Sequence, residues 1–368
     1  MKNNDNHPGK SRVELHAKDY RVKHRVLIRI LAVLVALVTA TAVYSAYIYF
    51  KTKKTADSVY DNNNRVEIRD GEFNGKNKFA VLLMGTDTGA FDRKEKIGNT
   101  DTIILTAVNP QKKRYTLMSV PRDTMAQMVG TKNFQAEKIN AAYPIGGAKM
   151  AMTSVSKLLA VPVKYYAIVN MEGIMKIIHY VGGIDIRPTL TFAYGGYSFQ
   201  KGQLTHMSGA SALAYSRMRY DDPDGDYGRQ ARQRQVITTL VEKTISLNSL
   251  SKIDAILEAI AGNVKTNLTF DALRQIVLNY RGCARTVKND YLHGSNVTID
   301  GSAYQVQSTT ELQRVSDYLR GELGLKKQLL NNNETYQNQR NIANGFSFKN
   351  PTAQNYNIYD DYVEEGDN

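Results

Sequence analysis

The chain is poor in the residues that build many familiar sites. Its 368 residues include one cysteine, Cys283. A lone thiol excludes an internal disulfide framework and leaves too few sulfurs for a thiolate zinc site. Outside a cell, that composition suits a bacterial surface protein that folds without disulfides. The six histidines (His7, His16, His24, His179, His206, His293) are scattered, with no pair at metal-ligand spacing, which tells against a zinc enzyme. "GKS" at 9–11 is not a phosphate-binding P-loop, because Asn4 stands where a glycine is required and no strand precedes it. There is no motif context for a Ser-His-Asp triad, and no internal repeat. Lysine is missing from 214–235, "AYSRMRYDDPDGDYGRQARQRQ", although five arginines and four aspartates crowd there.

What is present bounds the protein class. An apolar fraction of 42% is enough to bury a sizeable core. The net charge of +13 favours acidic partners: nucleic acid, an anionic membrane or polymer, or phosphorylated substrates. One uncharged run, "ILAVLVALVTATAVYSAYIYF" from Ile30 to Phe50, spans 21 residues. As a helix it would cross roughly 30 Å, the thickness of a hydrocarbon core. Tyr44, Tyr47 and Tyr49 gather at its end as an aromatic belt would. Arg21, Lys23, Arg25 and Arg29 precede it, as the positive-inside rule asks of a cytoplasmic flank, although Lys51, Lys53 and Lys54 follow it. A cleaved signal peptide is the alternative, but its apolar region normally runs about 7–15 residues. The expected arrangement is a single-pass membrane protein with a cytoplasmic N-terminus and its bulk outside the cell.

The expected organisation is a cytoplasmic tail (1–25), a transmembrane signal anchor (26–50) and a polar linker (51–76). A folded domain (77–330) follows, with a core at 78–248 and a helical extension at 249–330. A disordered tail (331–368), rich in Asn, Gln and acidic residues with few aliphatics, ends the chain. "KFAVLLMG" (78–85), "DTIILTAV" (101–108), "RYTLMSV" (114–120) and "VKYYAIVN" (163–170) read as strands. "GGAKMAMTSVSKLLA" (146–160) and "MEGIMKIIHYV" read as helices, as do 228–247, 250–262, 269–280 and a last one from Ser308. Strands alternating with helices predict a three-layer α/β/α sandwich around a central mixed sheet.

Four stretches carry candidate chemistry. Arginine at 217, 219, 229, 232 and 234 offers rigid forks of N–H donors that grip phosphate oxygens bidentately. The competing reading is a solvated network in which arginines and aspartates cancel. In "LLMGTDTGAFDRKEKIGNTDTIIL" (82–105), Asp87 follows one strand tip and Asp101 opens the next, so both could meet at one Mg²⁺, or serve only as turn formers. "SVPRDT" (119–124) places Arg122 and Asp123 at a strand end, where ligands collect in open α/β sheets. "KINAAYPIGG" (138–147) adds Lys138 and Asn140.

Taken together, "GTDT", "GNTDTIIL", "NP", "SVPRDT", "KINAAY", "NMEGIMKIIHYVGGIDI" and "ALAYSRMRYDDPDGDYGRQARQRQ" resemble the LytR-CpsA-Psr family of bacterial cell-wall enzymes, over roughly 78–248. The resemblance implies an extracytoplasmic α/β/α domain with a long apolar groove for a polyprenyl chain. It implies a phosphotransferase that moves a phosphate-linked glycopolymer (teichoic acid, capsule or another wall polysaccharide) from a polyprenyl-pyrophosphate carrier onto peptidoglycan, at a Gram-positive cell surface. Asp87 and Asp101 fall on its metal-binding carboxylates, for Mg²⁺ or Mn²⁺. Arg122, Arg217, Arg219, Arg229 and Arg232 fall on its pyrophosphate-binding arginines, with Lys138 and Asn140 beside them, and Asp226 on the aspartate of its "GD-x-GR" motif. Many members carry Gly-Arg-Ser-Asp-Thr where this chain has Gly98-Asn99-Thr100-Asp101-Thr102, so an arginine is missing and Arg93 lies in the preceding loop. Arg122 with Asp101 or Asp226 forms the expected catalytic set, either aspartate being a candidate base. Two other classes compete: a membrane-anchored DNA-binding regulator, for which 25 cytoplasmic residues are too few, and a non-catalytic binder of anionic wall polymer. No nucleic-acid partner is expected.

Overall fold

The computed structural model describes residues 60–89, 98–246, 262–350 and 352–362, together with Thr39, Ala46, Tyr47, Tyr49, Phe50, Lys51, Lys53 and Lys54. The chain divides into two units, Met1–Lys53 and Lys54–Asn368. The first is helical at its described positions. Among the described residues no helix is long and apolar enough to cross a membrane; most of the span expected over 30–50, and the tail before it, lies outside them. The Arg93 loop and nearly all of the helix expected over 250–262 also lie outside.

The second unit is built on six strands: β1 (Phe79–Thr86), β2 (Thr100–Asn109), β3 (Arg114–Ser119), β4 (Tyr165–Asn170), β5 (Val264–Thr266) and β6 (Val287–Tyr291). Their order is β5-β4-β1-β2-β3-β6. The β1–β4 and β3–β6 pairs are parallel and the others antiparallel, so the sheet is mixed. Successive side chains point to opposite faces, and β1 shows this directly. Ala80, Leu82 and Met84 join one core, with α1 (Ala142–Leu159) and a helix at Thr309–Leu323. Phe79 and Val81 join another, with Leu273 and Ile276 of the helix Phe270–Asn279. Ile104, Tyr115 and Leu117 meet Ile237 and Val241 of the helix Asp226–Ser246. Helices therefore cover both faces, as expected of an α/β/α sandwich. We number them α2 (Met171–Tyr180), α3 (Gly209–Arg217), α4 (Asp226–Ser246), α5 (Phe270–Asn279) and α6 (Thr309–Leu323). Because β1 and β4 run parallel and β2 runs against them, the ends of β1 and β4 and the start of β2 share one edge of the sheet.

Three expectations are corrected. Residues 51–76 are not merely a polar linker. Tyr60 bridges to Thr266, the Tyr166 hydroxyl donates to Asp61 Oδ2 at 2.6 Å, and Phe73 is fully buried against Phe79 and Tyr165. The region after 249 is not mainly helical, since β6 is followed by the antiparallel pair β7 (Ser295–Ile299) and β8 (Ser302–Val306).

The tail after 331 is not disordered where described. Asn333–Ala343 is a helix, α7, opened by a reciprocal cap between Asn332 and Thr335, and β9 (Gln354–Asn355) pairs with β7. Composition misled here because amides do the work of a backbone partner. Gln337 and Asn341 each bond both ways with the passing chain, at Tyr359 and Asn357. Buried polar groups that find partners in this way no longer oppose folding.

Candidate active site

A cavity of about 510 Å³ opens at the shared sheet edge. Its floor is the end of β1 (Leu83, Gly85, Thr86) and of β4 (Ala167, Val169). Ile174 and Ile177 of α2, Leu213 of α3, Val236 and Ile237 of α4, Val264 and Tyr194 supply an apolar wall. The charged side chains on the lining are Asp87, Asp101, Arg122, Arg217, Arg219 and Arg229. A lining that combines aliphatic side chains with guanidiniums and carboxylates suits an amphiphile with an anionic head.

Local structure places each group. Asp87 follows the last residue of β1, and Gly98 lies so close that a Cβ there would sit 2.6 Å from Asp87 Oδ1. Thr88 Cγ2 would lie equally close to that Cβ, so a side chain at 98 would have to displace the start of the loop after β1. Asp101 Oδ1 accepts from Arg122 Nη1 at 2.8 Å. The turn bearing Arg122 is pinned at every carbonyl: Pro121 O accepts from Thr124 N, Arg122 O from Asn140 N, Asp123 O from Gln305 N and Thr124 O from Ile139 N. Burial alone would depress the Arg122 pKa, but the hydrogen bond and charge of Asp101, with Asp123 and Asp226, hold it above the usual arginine value. At Arg229 burial wins: its pKa falls despite Asp226, helped down by the charges of Arg122 and Arg219. The Nε atoms of Arg122 and Arg229 are buried with no hydrogen-bond acceptor among the described residues.

Other expected site residues lie elsewhere. Arg232 does not reach the cavity. It is about 1% exposed, donates to the carbonyls of Tyr215 and Met218 and to Asp222, and lies over the Phe192 ring. The whole guanidinium fork is thus consumed internally. Lys138 and Asn140 are also absent from the cavity wall. Lys138 pairs with Asp123 at 3.2 Å, and Asn140 accepts from Thr100 Oγ1, tying the Arg122 turn to the start of β2. Asp226 is held by Arg229 at 2.7 Å and by Gln230 at 2.9 Å and is not on the wall. Tyr220 and Gln233, which sequence reasoning passed over, are on it. Gln233 was findable, one turn beyond Arg229 on α4; Tyr194 and Val264 come from distant segments and had no signal.

Among the described residues, no three His, Cys, Asp or Glu side chains gather around a metal position. Asp87 and Asp101 still fit Mg²⁺ or Mn²⁺, since magnesium takes one or two carboxylates and fills its shell with water and phosphate oxygens. The donor set is all oxygen, as those hard ions prefer.

Comparisons with known proteins agree with this architecture. The chain is similar to a polyisoprenyl-teichoic acid–peptidoglycan teichoic acid transferase TagU from Enterococcus faecalis, with 41% identity over 81% of this chain and 97% of that protein. The TagU of Bacillus subtilis is 37% identical over 82% and 97% of the two chains; its crystal structure covers 70% of this chain and all of its own, with a TM-score of 0.55 and 36% identity. A Streptococcus agalactiae protein of known crystal structure aligns with a TM-score of 0.67 and 33% identity, over 75% of this chain and 98% of its own. The LytR_cpsA_psr family model matches residues 44–321, a range that contains every residue of the cavity lining: the chain belongs to the LytR-CpsA-Psr family.

Proposed function

We propose that the chain is an extracytoplasmic phosphotransferase. It moves a phosphate-linked glycopolymer from a polyprenyl-pyrophosphate carrier to a hydroxyl of peptidoglycan, held at the membrane by an N-terminal anchor over 30–50. The TagU names of its relatives favour teichoic acid as the polymer. The observation that carries the reading is one cavity lined by both aliphatic side chains and four arginines. A polyprenyl tail fills the interior and places its pyrophosphate among Arg122, Arg217, Arg219 and Arg229.

In the reaction, the acceptor hydroxyl oxygen forms a bond to the phosphorus that bears the glycopolymer. The bond from that phosphorus to the bridging oxygen breaks, and polyprenyl phosphate leaves. Such transfers ask mainly for positioning and charge neutralisation, which the lining arginines supply. The proton of the hydroxyl goes to Asp101, which lines the cavity, rather than to Asp226, which does not. Asp87 and Asp101 would hold Mg²⁺ or Mn²⁺, which when bound adds positive charge beside the non-bridging oxygens.

The test uses the full chain in detergent with Mg²⁺, a polyprenyl-pyrophosphate-linked oligosaccharide and peptidoglycan fragments, followed by mass spectrometry. Sugar appearing on peptidoglycan together with released polyprenyl phosphate is expected. Retention of the lipid without turnover, with metal added and removed, would leave a carrier-binding protein instead. Protease accessibility on intact cells tests the anchor's orientation.

A further inference from the structure

Residues 332–358 lie beyond the part of the chain that the family model matches, 44–321, yet they reach the segment that carries Arg122. Glu334, in the first turn of α7, accepts from the backbone N–H of Gln127 at 2.8 Å. Asn338, one turn on, donates to the carbonyl of Gln307 at 2.9 Å. Gln307 in turn donates through Nε2 to Thr124 Oγ1 at 3.1 Å, two residues from Arg122. Tyr356 completes the chain, its hydroxyl donating to Asn338 Oδ1 at 2.8 Å. Glu334, Asn338, Gln307, Thr124 and Tyr356 are all at least 97% buried, so these bonds are shielded from water and directional.

We propose that the amide-rich segment 332–358 is a positioning element for the Arg122 turn, acting through Glu334 on Gln127 and through Asn338 and Gln307 on Thr124. The proposal rests on the transferase reading only in what Arg122 does, and the clamp itself can be tested without it. The carbonyls of Arg122 and Thr124 are held by Asn140 N and Ile139 N. The Thr124 side chain and Gln127 N are held from the tail side, through Gln307 just after β8 and through Glu334. With that side released, the guanidinium loses its registration against Asp101. A displacement of about 1 Å at a group that must meet a pyrophosphate can change rates by about a hundredfold. No residue of the segment lines the cavity, so its variants remove none of the proposed ligand-binding groups.

Three variants of the full chain decide the matter: Glu334→Leu, Asn338→Leu and the conservative Glu334→Gln, which keeps the acceptor for Gln127. A control, Phe73→Leu, lowers stability in a separate cluster with Phe79, Tyr165 and Tyr280, which contains no residue of the tail or the turn. Amide hydrogen exchange across 122–127 and the affinity for inorganic pyrophosphate are measured for each. The leucine variants are expected to lose exchange protection at 122–127 and to bind pyrophosphate about tenfold to a hundredfold more weakly. Glu334→Gln should retain both properties, and Phe73→Leu should retain both despite a lower Tm. Leucine variants that keep their protection overturn the clamp, and protection lost without any change in affinity overturns its link to Arg122. A wild-type chain that binds no pyrophosphate refutes the transferase reading instead, and the exchange data still judge the clamp.

Discussion

Arg229 and Arg232 sit one turn apart on α4, in the same "GRQAR" run, and end in different environments. Arg229 faces the cavity, shares its charge with one carboxylate, Asp226, and keeps a buried Nε without an acceptor among the described residues. Arg232 lies beneath it in a cage of two carbonyls, one carboxylate and an aromatic ring. Each arginine has one carboxylate, but Arg229 keeps an unbonded Nε while Arg232 bonds through all three of its nitrogens. Residue type does not separate a ligand-binding arginine from a structural one. The number of acceptors that the fold supplies does.

Four predictions test that contrast, the largest effect first. Arg232→Met strands the buried Asp222 carboxylate, so chemical denaturation should show a loss of about 3–5 kcal/mol. A loss below 1 kcal/mol would show the cage to be incidental. Arg122→Ala should behave oppositely. Its pair with Asp101 is partly exposed, so stability should change by less than about 1 kcal/mol, while kcat should fall by about 10²–10³.

Gly228→Ala reaches the cage from outside. A Cβ there would collide with the Asp222 carboxylate, so Asp222 must shift and stability should drop by about 1–3 kcal/mol. If the cage rather than the cavity lining is what fails, pyrophosphate affinity per folded molecule should hold.

The smallest effect concerns a buried charge with no cage at all. Burial raises the pKa of Glu334 above the usual glutamate value, against the pull of the Gln127 N–H and Lys157. Between the unfolded and folded values the folded chain therefore holds a proton that the unfolded chain has lost, and stability falls as pH rises through that window. Glu334→Gln removes the slope. Its Tm should match wild type near pH 4 and exceed it at neutral pH, by differential scanning calorimetry. A constant difference across pH would mean that Glu334 is not the titrating group.

Much of this was legible in one dimension. β1, β2 and β3 stand within a residue or so of their apolar runs, because strands buried on both faces need continuous aliphatic stretches. The last helix begins at its expected cap, Ser308, whose short polar side chain accepts from Glu311 N in the first turn. Asp87, Asp101, Arg122, Arg217, Arg219 and Arg229 line one cavity, because strand ends and helix starts are where an α/β sheet gathers its side chains. The tail failed because composition scores Asn and Gln as solvated, whereas α7 buries Asn333, Gln337, Asn338 and Asn341. Lys138 and Asn140 stand off the cavity wall because Lys138 turns to Asp123 and Asn140 sits in a 3-10 turn tied to Thr100, and nearness in sequence to a site does not fix such partners.

The sequence by itself determined the strands of the core, the Ser308 cap, the family and the supply of arginines and aspartates, since each depends on neighbours within a few residues. Only the tertiary structure decided which arginines stay available to a ligand, that residues 60–76 and 332–358 belong to the folded unit, and what braces the turn behind Arg122. Those outcomes depend on partners from far along the chain, Asp222 with Arg232, Phe73 with Tyr165 and Gln307 with Thr124, and a buried polar or aromatic group is stable only where such a partner meets it.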